Sequence, residues 1–252
     1  MENKSFKALY EECISLINDR KYKEAFSRLK GYEESRDILL YRLYYMLFSR
    51  KDSPVYSPQK AALRLDGLCS FGDEWAMGEK GRCLLHGLLY DEDSLLAEDL
   101  LVKAGLAQPL AIFYRAEIHF LGIHKDNDGN SVYDFVEAEM LYNKIINSHT
   151  KNPYIDKAKI QICRLLMKKG GLTDEQSKLV YSYLIELKNK GFPSAVSAYS
   201  EFLLTSLEDA MSSVFDKSEI PSDHEGKINM ETRRRECRRS IQNIKTALSG
   251  EL

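Results

Sequence analysis

Apolar residues recur every three to four positions through most of the chain, a spacing that places them on one face of an α-helix. No segment shows the strict alternation of polar and apolar residues that is typical of a half-buried strand. The pattern therefore predicts an all-α protein. The predicted helices span 4–18, 21–32, 35–50, 58–71, 73–87, 93–106, 109–122, 133–148, 153–169, 174–190 and 194–208.

The helices follow a repeat. AEDLLVKAG, which begins at Ala97, aligns with AEMLYNKII, which begins at Ala138, and weaker matches begin at Ala25, Ala61 and Val180. These five anchors are separated by 36, 36, 41 and 42 residues. A period of this length suits one pair of helices per repeat.

Small residues mark the other helix of each pair. Ala76, Gly81 and Gly87 are followed by Ala111, Ala116 and Gly122 at the same gaps of five and six residues. We expect these positions to let neighbouring helices approach closely.

Prolines punctuate the same pattern. Four of the six, Pro58, Pro109, Pro153 and Pro193, fall where a helix is predicted to begin, a position that tolerates proline because the first N–H groups have no helical acceptor. Ser57 and Asn152, each directly before a proline, are predicted N-caps.

The combined pattern of Ala-x-x-large-large-x-Lys-Ala, a turn, and Ala-x-x-x-x-Gly-x-x-x-x-x-Gly resembles the Sel1-like subfamily of tetratricopeptide repeats. The resemblance covers residues 5–208 and is strongest over 72–122. Tyr45 stands where the family prefers a small residue, and Lys169 stands in place of the closing glycine. The resemblance implies a right-handed superhelical solenoid of about five helical hairpin repeats, followed by a C-terminal helix, with a concave groove that binds other proteins.

The composition divides the chain into three parts. Residues 1–211 form the predicted repeat domain, 212–229 a polar linker, and 230–252 a basic C-terminal helix that we expect to cap the solenoid. The basic helix contains five arginines, which could instead bind phosphates: Arg233, Arg234, Arg235, Arg238 and Arg239. Nucleic-acid binding through this cluster is therefore the alternative function.

Positions of the family's concave face, transferred to the first helix of each pair, give the candidate partner-binding residues. They are Tyr10, Arg42, Met46, Trp75, Arg82, His86, Phe113, Glu117, Phe120, Arg164, Met167 and Lys168. Four are aromatic and four are cationic against a single glutamate, which predicts a protein or peptide partner of acidic character. The apolar members could equally fill the core between helices.

The remaining features favour binding over catalysis. The net charge of −2 gives no general attraction to polyanions, and the five cysteines and five histidines show no metal-ligand spacing. No nucleophile, phosphate-loop or dinucleotide motif occurs, so we expect no enzyme activity and no cofactor. Without a signal peptide or an apolar stretch long enough to span a membrane, a cytoplasmic protein is expected. A bacterial effector-associated or toxin-immunity role fits such repeats by analogy.

Overall fold

A computed structural model of the protein describes residues 2–217 together with Glu231, Thr232, Arg235, Glu236 and Arg239. Residues 2–217 form eleven helices, and the described part of the chain contains no strand, as the sequence pattern predicted. They are α1 (Glu2–Asn18), α2 (Tyr22–Arg28), α3 (Ile38–Ser49), α4 (Pro58–Ser70), α5 (Glu74–Leu85), α6 (Ser94–Ala104), α7 (Pro109–Leu121), α8 (Phe135–Ile146), α9 (Ile155–Lys169), α10 (Asp174–Asn189) and α11 (Pro193–Lys217).

The chain divides into two compact units, Met1–Tyr154 and Ile155–Leu252. In the first unit, consecutive helices pair as α1/α2, α3/α4, α5/α6 and α7/α8, and the first helix of a pair also contacts a neighbouring pair, as α1 does with α3 and α5 with α7. In the second unit, α9 pairs with α10, and α11 packs against both. Stacked helical hairpins of this kind are the arrangement that the repeat predicted.

The repeat anchors lie in the core. Ala25, Ala61, Ala97, Ala138 and Val180, on the second helix of successive pairs, are each 0% exposed. Because no larger side chain intervenes at these positions, the paired helices approach closely, and leucines one turn away, such as Leu65 and Leu101, fill the space around them.

The glycines in α5 and in the turn after it play different roles. A Cβ added at Gly81 would lie 2.8 Å from Cγ of Leu101 and 3.0 Å from the carbonyl oxygen of Ala97, so α6 packs directly against this glycine. Gly87, in contrast, has open space around it and a φ of +59°, in the left-handed region. Gly87 therefore serves the turn that follows α5 and not the contact between helices that its place in the repeat predicted.

Most of the predicted helix starts are confirmed. Ser57 caps α4 by accepting a hydrogen bond from the backbone N–H of Lys60, and Pro58 and Pro109 are the first residues of α4 and α7. The prediction that Asn152 caps a helix is wrong, because α9 begins only at Ile155. The side-chain oxygen of Asn152 instead accepts from the backbone N–H of Tyr154, which forms a turn before the helix.

Two helices differ most in length from the predicted ones. α2 ends at Arg28, because the chain turns at Leu29–Gly31, where Gly31 has a φ of +94°. α11 extends to Lys217, beyond the predicted end at residue 208, so the first residues of the predicted 212–229 linker are helical. The rest of that linker, and Arg233, Arg234 and Arg238 of the basic cluster, lie outside the described residues.

Candidate functional site

A cavity of about 740 Å³ opens in the first unit between the end of α3, the α3–α4 loop, α5 and the turn that follows α5. Its volume falls within the range of sites that hold ligands or partner side chains. The apolar part of its lining consists of Tyr45, Met46, Tyr56, Trp75, Leu88 and Leu89. Its charged groups are Arg50, Lys51, Glu79 and Arg82.

Trp75 is held in the cavity wall by the start of α5. Asp73 caps this helix by accepting the backbone N–H of Ala76 at 3.0 Å, and it also accepts two hydrogen bonds from Arg42, at 3.0 Å from Nε and 2.9 Å from Nη2. The Arg42 guanidinium lies over the Trp75 ring, 5.2 Å from its centroid, and Tyr45 meets the same ring edge to face. These contacts fix the orientation of the indole.

A hydrogen-bonded group of four side chains lies beside Trp75. Arg82 donates two hydrogen bonds to Glu79, and the hydroxyl of Tyr45 donates a third to the same carboxylate at 2.7 Å. The Cys83 sulfur lies 3.9 Å from that hydroxyl. Burial raises the pKa of Tyr45 and of the Cys83 thiol, and the bonds to Glu79 raise the pKa of Arg82. At neutral pH all three are therefore protonated, and the Arg82 charge is matched within the chain.

Aromatic rings continue from this cavity along α7. His86, which ends α5, meets Tyr114 edge to face at 5.4 Å, and Tyr114 contacts both Phe113 and Tyr154. Burial, followed by the charge of Arg82, lowers the pKa of His86, so its imidazole is neutral at neutral pH.

The structure brings together three of the residues selected from the sequence. Met46, Trp75 and Arg82, from two different repeats, line the cavity, and Arg42 packs against Trp75 outside it. His86 is exposed at the end of α5. Tyr10 is partly buried against the core formed by α1 to α4.

Phe113 and Phe120 are corrections to the sequence-based surface, since they are only 6% and 5% exposed. Both rings pack against the buried ring of Tyr142, between α7 and α8. They are therefore not available to a partner. Glu117 accepts a hydrogen bond from the Tyr142 hydroxyl. The remaining three selected residues belong to the second unit, where Arg164 donates to the side chain of Gln161, Met167 is half-buried and Lys168 is exposed.

Sequence reasoning missed several cavity residues. For Tyr45 the one signal in the sequence is its size, because it stands at a position that the family keeps small. Arg50, Lys51 and Tyr56 lie in the loop after α3. No helical periodicity could select them.

Neither a protein-family model nor a curated protein matches this sequence. A solved structure does match: the crystal structure of a Sel1 repeat protein from Oxalobacter formigenes superposes with a TM-score of 0.57. The match covers 90% of this chain and 99% of that chain, at 16% sequence identity. The chain has the fold of a Sel1 repeat protein. At this identity the likeness concerns the Sel1-repeat fold, and residue roles must come from the site itself.

Two further observations concern the described part of the chain. No helix in the described part is long and apolar enough to cross a membrane. Among the described residues, no group of three His, Cys, Asp or Glu side chains is arranged to hold a metal ion.

Proposed function

We propose that the protein is a non-enzymatic interaction scaffold that binds another polypeptide in the α3/α5 cavity. The observation that carries this proposal is the cavity itself, in which apolar side chains from two repeats surround a fixed tryptophan. Buried aromatic anchors in pockets dominate the energetics of protein interfaces. Leu88 and Tyr56 remain 42% and 40% exposed at its edge, so a partner would find apolar surface to cover.

The chemistry of the polar groups also supports binding over catalysis. A nucleophile or general base at neutral pH needs a pKa close to the working pH. Tyr45 and Cys83 have their pKa values raised by burial, which keeps them protonated, and Glu79 is engaged by both Arg82 and Tyr45. These groups are arranged to stabilise the wall of the cavity.

The proposal extends to the compartment, the biological role and the charge of the partner. We place the protein in the cytoplasm of a bacterium: the free, buried thiols of Cys13, Cys83 and Cys163 suit a reducing compartment, and the Oxalobacter formigenes structure has a bacterial source. An effector-associated or toxin-immunity role remains a prediction.

The acidic partner was predicted from four cations, and two of them, Arg42 and Arg82, already pair with Asp73 and Glu79. An acidic partner in the cavity therefore requires other cations.

A photo-crosslinking experiment tests the cavity directly. Leu88 is replaced by a photoreactive phenylalanine analogue, and Leu63, which is 70% exposed on α4 and outside the cavity, is replaced in the matched control. After irradiation in native cells, we expect a protease-sensitive adduct at position 88 that is absent at position 63. If both positions give the same adducts, or neither does, the cavity is not the binding site.

The alternative function is nucleic-acid binding by the C-terminal arginines. One observation favours it: Arg235 and Arg239 are both helical and exposed, so both charges face solvent. This alternative requires that binding to a single-stranded oligonucleotide weakens steeply with salt and is lost when both arginines are changed to glutamate. Binding that survives these substitutions would rule it out.

A further inference from the structure

We infer that the segment received by the α3/α5 cavity carries a large apolar side chain flanked by carboxylates, and that Arg50 and Lys51 bind those carboxylates. This inference rests on the proposed function and adds the chemistry of the partner. It has two parts, an apolar anchor and a local charge, which come from different residues.

The apolar part follows from the walls of the cavity. Met46 lies on α3, Trp75 on α5, and Leu88 and Leu89 on the turn after α5, so a side chain that entered would meet apolar atoms from three directions. Covering such surface is favourable in proportion to the apolar area removed from water. A large apolar side chain satisfies this site better than a polar one, because the hydrogen-bonding groups beside Trp75 already have partners within the chain.

The charge follows from the ion pairs of the neighbourhood. Arg42 is paired with Asp73 and Arg82 with Glu79, so neither guanidinium offers a free charge. Arg50 and Lys51 are exposed residues of the turn after α3 that line the same cavity. No ion pair joins either of them to a carboxylate among the side chains that the structure describes.

The nearest acidic residue in sequence, Asp52, forms no ion pair with Arg50 or Lys51 among the described side chains. The Asp52 carboxylate accepts the hydroxyl of Tyr22 at 2.9 Å. The Arg50 guanidinium lies 5.9 Å from the centroid of that same tyrosine ring, where a cation–π contact leaves its N–H donors available. The rim of the cavity therefore presents two cations to a ligand, which suits carboxylates that flank the buried anchor.

An acidic peptide fits these features better than a nucleic acid. Single-strand binders combine a track of cations along the backbone with aromatic faces that are free to stack on bases. Here Arg42 already lies over the Trp75 ring, so that face is not free to stack on a base. The unpaired cations that line this cavity, Arg50 and Lys51, lie on a single turn and form no track. The chain as a whole has a net charge of −2. A short acidic segment needs only a few cations close to its carboxylates, and the two at the rim of the cavity meet that need.

The chain offers a direct reporter, because Trp75 is its only tryptophan. We would follow its fluorescence during titration with short tryptophan-free peptides that carry one phenylalanine between glutamates. The comparison peptides replace the glutamates by lysines, or the phenylalanine by alanine. A single-stranded oligothymidylate serves as a polyanion without an apolar side chain of this kind.

We expect the acidic phenylalanine peptide to bind more tightly than either comparison peptide. The double variant Arg50→Glu/Lys51→Glu should weaken its binding roughly tenfold and improve the binding of the lysine peptide, since the rim charge is reversed. The control variant Lys30→Glu/Lys144→Glu makes the same change in net charge at two other exposed lysines and should leave both affinities unchanged. Circular dichroism of each variant verifies that the helices are retained.

Several results would overturn the inference. They are a failure of the acidic peptide to change the Trp75 fluorescence, equal binding of the acidic and lysine peptides, or equal effects of the two double variants. Tighter binding of the oligothymidylate would replace the acidic peptide with a nucleic acid as the ligand. A crosslink at position 88 together with indifference to peptide charge would reject only this partner chemistry, whereas the loss of that crosslink would reject the proposed function itself.

Discussion

Asp73 both caps a helix and joins two helices through an ion pair. Its carboxylate caps α5 through the N–H of Ala76, and it holds Arg42 of α3 in a bidentate ion pair. The Asp73 side chain is only 2% exposed, whereas that of Arg42 is 28% exposed. The pair therefore lies at the edge of the core, where it is screened less than a surface ion pair and is solvated more than a fully buried one.

Replacing Asp73 by alanine should lower the free energy of unfolding by about 2–4 kcal/mol, because the change removes the cap and leaves Arg42 without its carboxylate. Asp93 provides the matched control. It caps α6 by accepting from the N–H of Leu96 at 2.9 Å, is exposed, and forms no recorded ion pair among the described residues. Its replacement by alanine should cost about 1 kcal/mol. Urea unfolding followed by circular dichroism measures both, and equal losses would show that the Arg42 pair contributes nothing.

Single residues also show where the sequence was informative about the site. The patterns placed Met46, Trp75 and Arg82 on surface positions of separate repeats, and these residues do line one cavity. The sequence patterns do not show whether Phe113 faces the groove or the core. An aromatic residue on an amphipathic helix gives the same periodicity in both places, and Phe113 proves to be buried.

The sequence indicates only one of the two ion pairs around Trp75. Glu79 and Arg82 are three residues apart on one helix, a spacing that permits an ion pair. Asp73 lies 31 residues from Arg42, and only the stacking of two repeats brings the two side chains together. The cations selected from the sequence therefore included two that are already neutralised, while Arg50 and Lys51, in an aperiodic loop, were not selected.

At the level of elements, α5 is placed by two interior glycines with different surroundings. A Cβ at Gly81 would meet Leu101 at 2.8 Å and the carbonyl oxygen of Ala97 at 3.0 Å, and this oxygen belongs to the backbone of α6. A Cβ at Gly78 would meet only the end of the Leu110 side chain at 3.2 Å, with two alanine methyl groups at 3.7 Å. The first neighbour cannot move without shifting a helix, whereas the second can change rotamer.

The two alanine substitutions should consequently have opposite outcomes. Alanine gains about 1 kcal/mol over glycine inside a helix, so Gly78→Ala should be neutral or stabilising. Gly81→Ala should lower the free energy of unfolding by about 1–3 kcal/mol, because overpacking against α6 exceeds that gain. Thermal unfolding followed by circular dichroism compares them under identical conditions. Equal stability of the two variants would mean that α5 and α6 are not held in contact at Gly81.

Helix ends were predicted less well than helices. Hydrophobic periodicity does not predict the end of α2 at Arg28, because Leu29 continues the apolar spacing and is 0% exposed, although it lies beyond the last helical residue. The start of α9 was misplaced because a proline preceded by asparagine is typical of a helix start, whereas here the pair forms a separate turn.

On the scale of the whole molecule, stacking gives the helix pairs unequal support. Within the first unit, the α3/α4 pair has a neighbour on each side, through contacts of α3 with α1 and of α4 with α5. The α1/α2 pair contacts only the α3/α4 pair within that unit, and α2 is only seven residues long. In repeat proteins, stability is approximately the sum of the intrinsic terms and the nearest-neighbour terms, so a pair with one neighbour opens at lower free energy.

Hydrogen exchange followed by mass spectrometry should therefore show graded protection within residues 2–154. We expect the slowest exchange in α3 and α5, whose residues Leu43, Leu47 and Ala76 are each 0% exposed, and faster exchange in α2. Gly81→Ala sharpens the test, because it weakens one interface. It should accelerate exchange in α5 and α6 most, in α4 and α7 less, and in α1 and α2 least. The same acceleration in every helix of the unit would mean that its repeats unfold as one cooperative block, and that nearest-neighbour stacking does not describe its stability.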